Sequence, residues 1–146
     1  MLIDLAVYLR AAADVAAGRD PNVTPAGELP WLYPPAAALP YVPLTWVPFE
    51  VACVVATLVS IAALVRLLHL VLGRLGLPCG LPLVAALALL TEPVLSTLGF
   101  GQVNLVLAWL VAEGFLGRRR WLIGLAAGVK LTPLVFLLPL VLRRDW

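Results

Sequence analysis

Charge is what this chain has least of. Charged residues occupy 12% of its 146 positions, where a soluble domain carries about a quarter, while apolar residues reach 63% and the mean hydropathy is +1.05. A soluble domain is thereby excluded and a polytopic membrane protein is expected. The net charge of +2 argues against a nucleic-acid partner. The basic residues fall at the ends of apolar segments, in "RLLH", "GRLG", "GRRRW" and "LRRDW", where they read as membrane topology. Cysteine is scarce too: Cys53 lies in an apolar run, Cys79 in a short loop, and His69 is the one histidine. No zinc or redox spacing results, so no metal and no cofactor are expected. A basic stretch followed by an apolar one is missing after Met1, which speaks against a signal peptide.

What is present is organised by proline and by apolar length. "DLAVYLRAAADVAA" is helical in composition but too short and too polar to span a bilayer, so an amphipathic helix at the membrane surface is expected. Asp4 and Tyr8 share one of its faces, and Arg10 and Asp14 are spaced to pair on another. The prolines of "GRDPNVTPAGELPWLYPPAAALPYVPLTWVP" forbid a continuous helix. Its aromatics, Trp31, Tyr33, Tyr41 and Trp46, favour a headgroup interface. Residues 1–46 therefore read as an interfacial helix and an ordered proline-rich loop. Membrane helices are expected over 47–72, 81–98, 103–115 and 121–142. Arg66, His69 and Arg74 place the end of the first on the cytoplasmic side, which makes residues 1–46 extracytoplasmic. A single last span would put Arg143 and Arg144 outside, against the charge rule, so a break at 130–133, in "KLTP", is preferred.

Polar side chains in lipid-grade sequence are candidates for a site. Asp4 with Tyr8, Glu92 in "TEPV", Gln102 with Asn104, and Lys130 all fall toward the outer half of the membrane. Each also has a plainer reading. Asp4 can cap the surface helix, and Glu92 can satisfy the backbone freed at Pro93 or pair with Lys130. Gln102 and Asn104 can cap the third span, and Lys130 can reach for the interface. The small residues of "GLAAG" suit helix packing.

In order along the chain, "DLAVYLRAAADVAAGRDP", "WLYPPAAALPYVPL", "EPVLSTLGFGQVNLVLAWLV" and "GLAAGVKLTPLVFLLPLVLRRDW" resemble successive blocks of glycosyltransferase family 87. Those proteins are polyprenol-phosphate-mannose-dependent mannosyltransferases of the actinobacterial envelope. The resemblance implies an all-α, multi-pass GT-C fold in a bacterial plasma membrane, with its active site on the extracytoplasmic side. It also implies a polyprenyl-phosphate-linked sugar donor, a glycan or glycolipid acceptor, and the lipid bilayer as surroundings. By the same resemblance Asp4 corresponds to the general base and Lys130 to a cation near the lipid phosphate. Tyr8, Glu92, Gln102 and Asn104 are then expected to bind sugar or donor. Transfer in this fold inverts the sugar: an acceptor hydroxyl attacks the anomeric carbon opposite the leaving phosphate, and a carboxylate takes the proton.

The family's members are longer, with more spans and one ahead of the base. The chain is therefore expected to be an amino-terminal part of an enzyme, inactive alone. Two alternatives belong to other classes. A non-catalytic membrane subunit or scaffold would tolerate loss of Asp4 and Lys130, and a transporter-like module would move solute without forming product.

Overall fold

The computed structural model describes residues 2–77, 80–117 and 119–143. The loop expected around Cys79, and the basic residues Arg118 and Arg144, lie outside them. The described chain is all-helical. Its helices are α1 (Ile3–Ala16), α2 (Phe49–Arg74), α3 (Leu81–Ala88), α4 (Glu92–Phe100), α5 (Asn104–Leu116), α6 (Trp121–Val129) and α7 (Leu137–Arg143), with 3₁₀ segments at Pro35–Trp46 and Thr132–Phe136.

Residues 3–46 form one packed unit. The buried residues of α1, Leu5, Tyr8, Ala11 and Ala12, recur at helical spacing and so line a single face. That face lies on the proline-rich segment, where Ala37 and Ala38 are buried in the same cluster and their short side chains let the backbones approach. Pro40 and Pro43 lie inside the 3₁₀ segment. Without amide hydrogens they cannot join an α-helical ladder, and the looser 3₁₀ winding is what remains. Tyr8, Trp31 and Tyr33 pack edge to face, with ring centroids 5.1 to 5.8 Å apart, and Tyr41 leans on Tyr8 at 5.0 Å. The headgroup role expected for these aromatics is thus corrected for Trp31, which is only 3% exposed, while Trp46 is 78% exposed. The expected pairing of Arg10 with Asp14 is also replaced. Arg10 binds Glu28 at 2.5 Å and donates to the Leu29 carbonyl at 2.9 Å, whereas Asp14 pairs with Arg19 at 2.7 Å. Both contacts tie the loop back to α1.

The 26 residues of α2 rise about 39 Å, enough for a hydrocarbon layer of about 30 Å. Among the described residues α2 is the one helix that is long and apolar enough to cross a membrane by itself. The segment read as one span over 81–98 is instead two helices, α3 and α4, bent by 67°. Pro93 explains the bend, since in a continuous helix its ring would meet the carbonyl of Leu89. α2 and α5 lie side by side and run the same way, with Arg66 facing Glu113 and Arg74 donating to the Leu116 carbonyl at 3.2 Å. α6 returns against α5, and Gly114 makes the approach possible, because a Cβ there would stand 2.5 Å from Ile123 Cγ1. In the "GLAAG" stretch Ala126 and Ala127 are buried, but Gly124 and Gly128 meet nothing within 4 Å. The glycine face expected to pack is turned away from the chain's own helices.

α6 ends at Val129, and Lys130 is extended, with φ −145° and ψ 134°. Pro133 is again the reason, since its ring would strike the Val129 carbonyl if the helix continued. The chain then turns through Thr132–Phe136 into α7.

Candidate functional site

Three separate parts of the chain bring polar side chains together at one end of the helices. Asp4 comes from the first turn of α1, Gln102 and Asn104 from the junction of α4 and α5, and Lys130 from the break after α6. Gly101 sets the junction. It closes α4 with φ 72°, a conformation that favours glycine, while the amides of Gly101 and Gln102 reach back to the carbonyls of Leu98 and Thr97 at 3.3 and 2.9 Å. This is a Schellman closure. A Cβ on Gly101 would lie 2.9 Å from Leu5 Cβ and 3.0 Å from Leu2 Cβ, so its bareness lets the turn press against α1.

The pressed turn delivers a continuous string of hydrogen bonds. Gln102 Nε2 donates to Asp4 Oδ2 at 2.6 Å, Asn104 Nδ2 donates to Gln102 Oε1 at 2.7 Å, and Lys130 Nζ donates to Asn104 Oδ1 at 3.2 Å. All four residues are half-buried. The direction of the string follows from its ends, because an ammonium only donates and an ionised carboxylate only accepts, leaving two amides between them one consistent order. A chain of this kind polarises along its length, each bond strengthening the next. The capping roles considered for Asp4, Gln102 and Asn104 do not occur: neither α1 nor α5 has a side-chain cap.

Asp4 also lines a cleft of about 240 Å³ with Tyr8, Tyr33, Leu29, Pro30 and Leu32. Tyr8 is buried, and its phenol is held well above the usual tyrosine range by that burial and then by its hydrogen bond to Tyr33. Burial does the same to Tyr41, helped by Tyr33. Both rings are therefore neutral across any ordinary pH. Lys130 Nζ stands 5.8 Å from the centroid of the Tyr33 ring, near enough for a cation–π attraction, so Tyr33 joins the two ends of the string. On the other side, an apolar groove of about 700 Å³ starts at Asn104 and runs past Leu107, Val111, Phe115, Pro133 and Phe136.

Glu92 is not part of this arrangement. It is exposed at the start of α4, the far end of that helix from Gly101, and Lys130 is engaged by Asn104 instead. Two residues without an expected site role make contacts of their own. Tyr33, an interfacial aromatic by sequence, lines the cleft and faces Lys130. Glu113 is 8% exposed, 3.5 Å from Arg66, and its Oε2 has no hydrogen bond among the described residues. A carboxylate inside the apolar run "LVAEGF" was the available signal for it. Arg120 donates to the carbonyls of Gly114 and Phe115 at 3.1 and 3.0 Å, so arginines gather at the carboxyl end of α5, where the helix dipole favours them. The polar string at Asn104 lies about 20 Å away, one length of α5.

Residues 31–146 match glycosyltransferase family 87. Two proteins of Mycolicibacterium smegmatis are similar to the chain. A polyprenol-phosphate-mannose-dependent alpha-(1-2)-phosphatidylinositol pentamannoside mannosyltransferase is 40% identical over 130 residues, covering 84% of this chain and 32% of the relative. The corresponding phosphatidylinositol mannoside mannosyltransferase is 35% identical over 139 residues, covering 81% and 32%. A phosphatidylinositol mannoside mannosyltransferase of Mycobacterium tuberculosis is 35% identical over 144 residues, covering 84% and 34%. The chain thus spans about a third of the length of the curated relatives it matches. No solved structure matches it.

Proposed function

This chain belongs to glycosyltransferase family 87, and on that premise we propose that it forms part of an integral-membrane mannosyltransferase of the GT-C type in a bacterial plasma membrane. The donor is a polyprenyl-phosphate-linked mannose and the acceptor a glycolipid on the extracytoplasmic side. The relatives' names supply those two substrates, and the observation that carries the reading is the string from Asp4 to Lys130. It joins a carboxylate and a cation from opposite parts of the chain at one helix end.

In this reading the acceptor hydroxyl attacks the anomeric carbon as the bond from that carbon to the phosphate oxygen breaks. Asp4 takes the hydroxyl proton, and the bonding pair leaves on the polyprenyl phosphate. Lys130 meets the charge that develops on that phosphate, where low dielectric strengthens the contact. Tyr8 and Tyr33 offer aromatic walls to the sugar. The apolar groove below Asn104 suits a lipid-linked donor, since its lining asks for hydrocarbon. α2, the bent α3–α4 pair, α5 and the broken α6–α7 segment then belong to the membrane domain of a larger bundle.

The test is mannosyl transfer by the full-length protein in membranes. Asp4→Asn should lower kcat by at least about 100-fold, the lower range for a positioned general base, with the protein still inserted. Transfer at the wild-type rate would overturn the assignment of Asp4. Lys130→Ala should weaken transfer through donor use, and an unchanged rate and donor KM would remove it from the site.

A further inference from the structure

Between Asp4 and Lys130 stand two amides whose order cannot be reversed, and the amide nearer Asp4 does more than fill space. Gln102 Nε2 holds Asp4 Oδ2 at 2.6 Å, while Asp4 Oδ1 has no hydrogen-bond partner among the described residues and Asp4 borders the aromatic cleft. Gln102 is held in this pose from both sides. Its backbone is set by the Schellman turn at Gly101, its carbonyl oxygen is taken by Asn104 at 2.7 Å, and Asn104 is anchored in turn by Lys130 at 3.2 Å.

We propose that Gln102 is the positioning residue for Asp4: aligned by Asn104 and Lys130, it pins one carboxylate oxygen and leaves the other free to take the acceptor proton. The inference rests on the reading of Asp4 as the general base. Lys130 then has two duties, at the phosphate and at the far end of the string, so the cation that meets the leaving group also orders the base. Gln102 itself need not touch the sugar. The titratable groups facing Asp4 are Tyr8 on its own helix, Tyr33 from the loop, and Lys130 across the amides. The nearest titratable group on α4, Glu92, is at that helix's other end.

The experiment compares Gln102→Glu, Gln102→Leu and Asp4→Asn in the full-length protein in membranes, following kcat, the KM for polyprenyl-phosphate mannose, and the pH dependence of kcat. Gln102→Glu keeps the size of the side chain but faces Asp4 with a second carboxylate. It should lower kcat about 10-fold or more with donor KM within about 2-fold, the pattern of an interaction that acts on the reacting state. The acid limb of the pH profile should move to higher pH, because Gln102→Glu sets a second negative charge where the amide donor stood. Gln102→Leu should move it the same way by less. The position of the limb is independent of how much protein folds, so a lower yield leaves the result readable. A raised donor KM at unchanged kcat would make Gln102 a binding residue, and an unmoved limb would make it merely structural; either overturns the proposal. If Asp4→Asn abolishes transfer while both Gln102 variants behave as wild type, the positioning role alone falls. If Asp4→Asn transfers normally, the general-base reading falls and this inference with it.

Discussion

Residues 3–46 and the helices that follow bury apolar surface to different extents. In the first region α1 and the proline-rich segment cover each other, with Ala11, Ala12 and Ala38 fully buried around the aromatic cluster. In the second, α2 leaves Val51, Val54, Leu58 and Val59 exposed, and α6 leaves Trp121 and Leu125 exposed. The first region is held by contacts between its own segments, and its Asp4 supplies one end of the polar string. The second leaves much of its surface uncovered, and its internal contacts are confined to narrow seams such as Leu64–Val94–Leu105 and Leu107–Val111–Ala126. The difference is one of degree: Leu32 and Trp46 stay 80% and 78% exposed in the first region, yet there two segments bury a shared aromatic centre.

Substitutions in the full-length protein can break or sharpen this contrast. The largest loss of stability is expected from Tyr8→Ala, which empties the centre of the aromatic cluster and should cost about 3–5 kcal/mol, as removal of a buried aromatic does; thermal unfolding in detergent measures it. Gly101→Ala acts where the two regions meet. The strained φ and the close Leu5 Cβ should cost about 1–3 kcal/mol, and transfer should fall further than stability because Gln102 leaves Asp4. Gly114→Ala should cost a similar 1–3 kcal/mol through Ile123, and Ile123→Ala in the same chain should recover part of it, a coupling read by a double-mutant cycle. Leu58→Ala, 61% exposed on α2, should change stability by less than about 0.5 kcal/mol. If Leu125→Ala on α6 costs clearly more than that, its face meets protein in the complete molecule, while an equal effect marks both as lipid-facing. Smallest of all is a pH effect at the loop surface. The Asn22 amide and side chain hold the Asp20 carboxyl below its usual range, so its contribution is present above that range and fades as pH falls through the lowered value. Asn22→Ala should raise the Asp20 titration seen by NMR.

Much of the candidate site could be named from residue types alone, because an amide or a cation in lipid-grade sequence demands a partner. That argument found Asp4, Gln102, Asn104 and Lys130, and the break at 130–133 followed from the charge rule applied to Arg143 and Arg144. It could not say which polar groups would meet. Glu92 satisfied the same rule as Lys130 but lies at the wrong end of α4, since the sense of a bent helix pair depends on packing that hydropathy does not encode. Glu113 was missed because one carboxylate in an apolar run looks tolerable until Arg66, on another helix, is seen beside it. Helix existence was clearer than helix continuity. The 81–98 run is apolar throughout, and only the bend at Pro93 turns one expected span into two helices.

The sequence by itself determined that this chain is helical and apolar enough for a membrane and which family it resembles, because hydropathy and ordered sequence blocks are local properties. Only the tertiary structure decided that Asp4 and Gln102, 98 positions apart, share a hydrogen bond and that Lys130 and Asn104, 26 apart, share the next. Such pairings depend on a glycine turn pressing one helix against another. No local rule reports which side chains that contact will bring face to face.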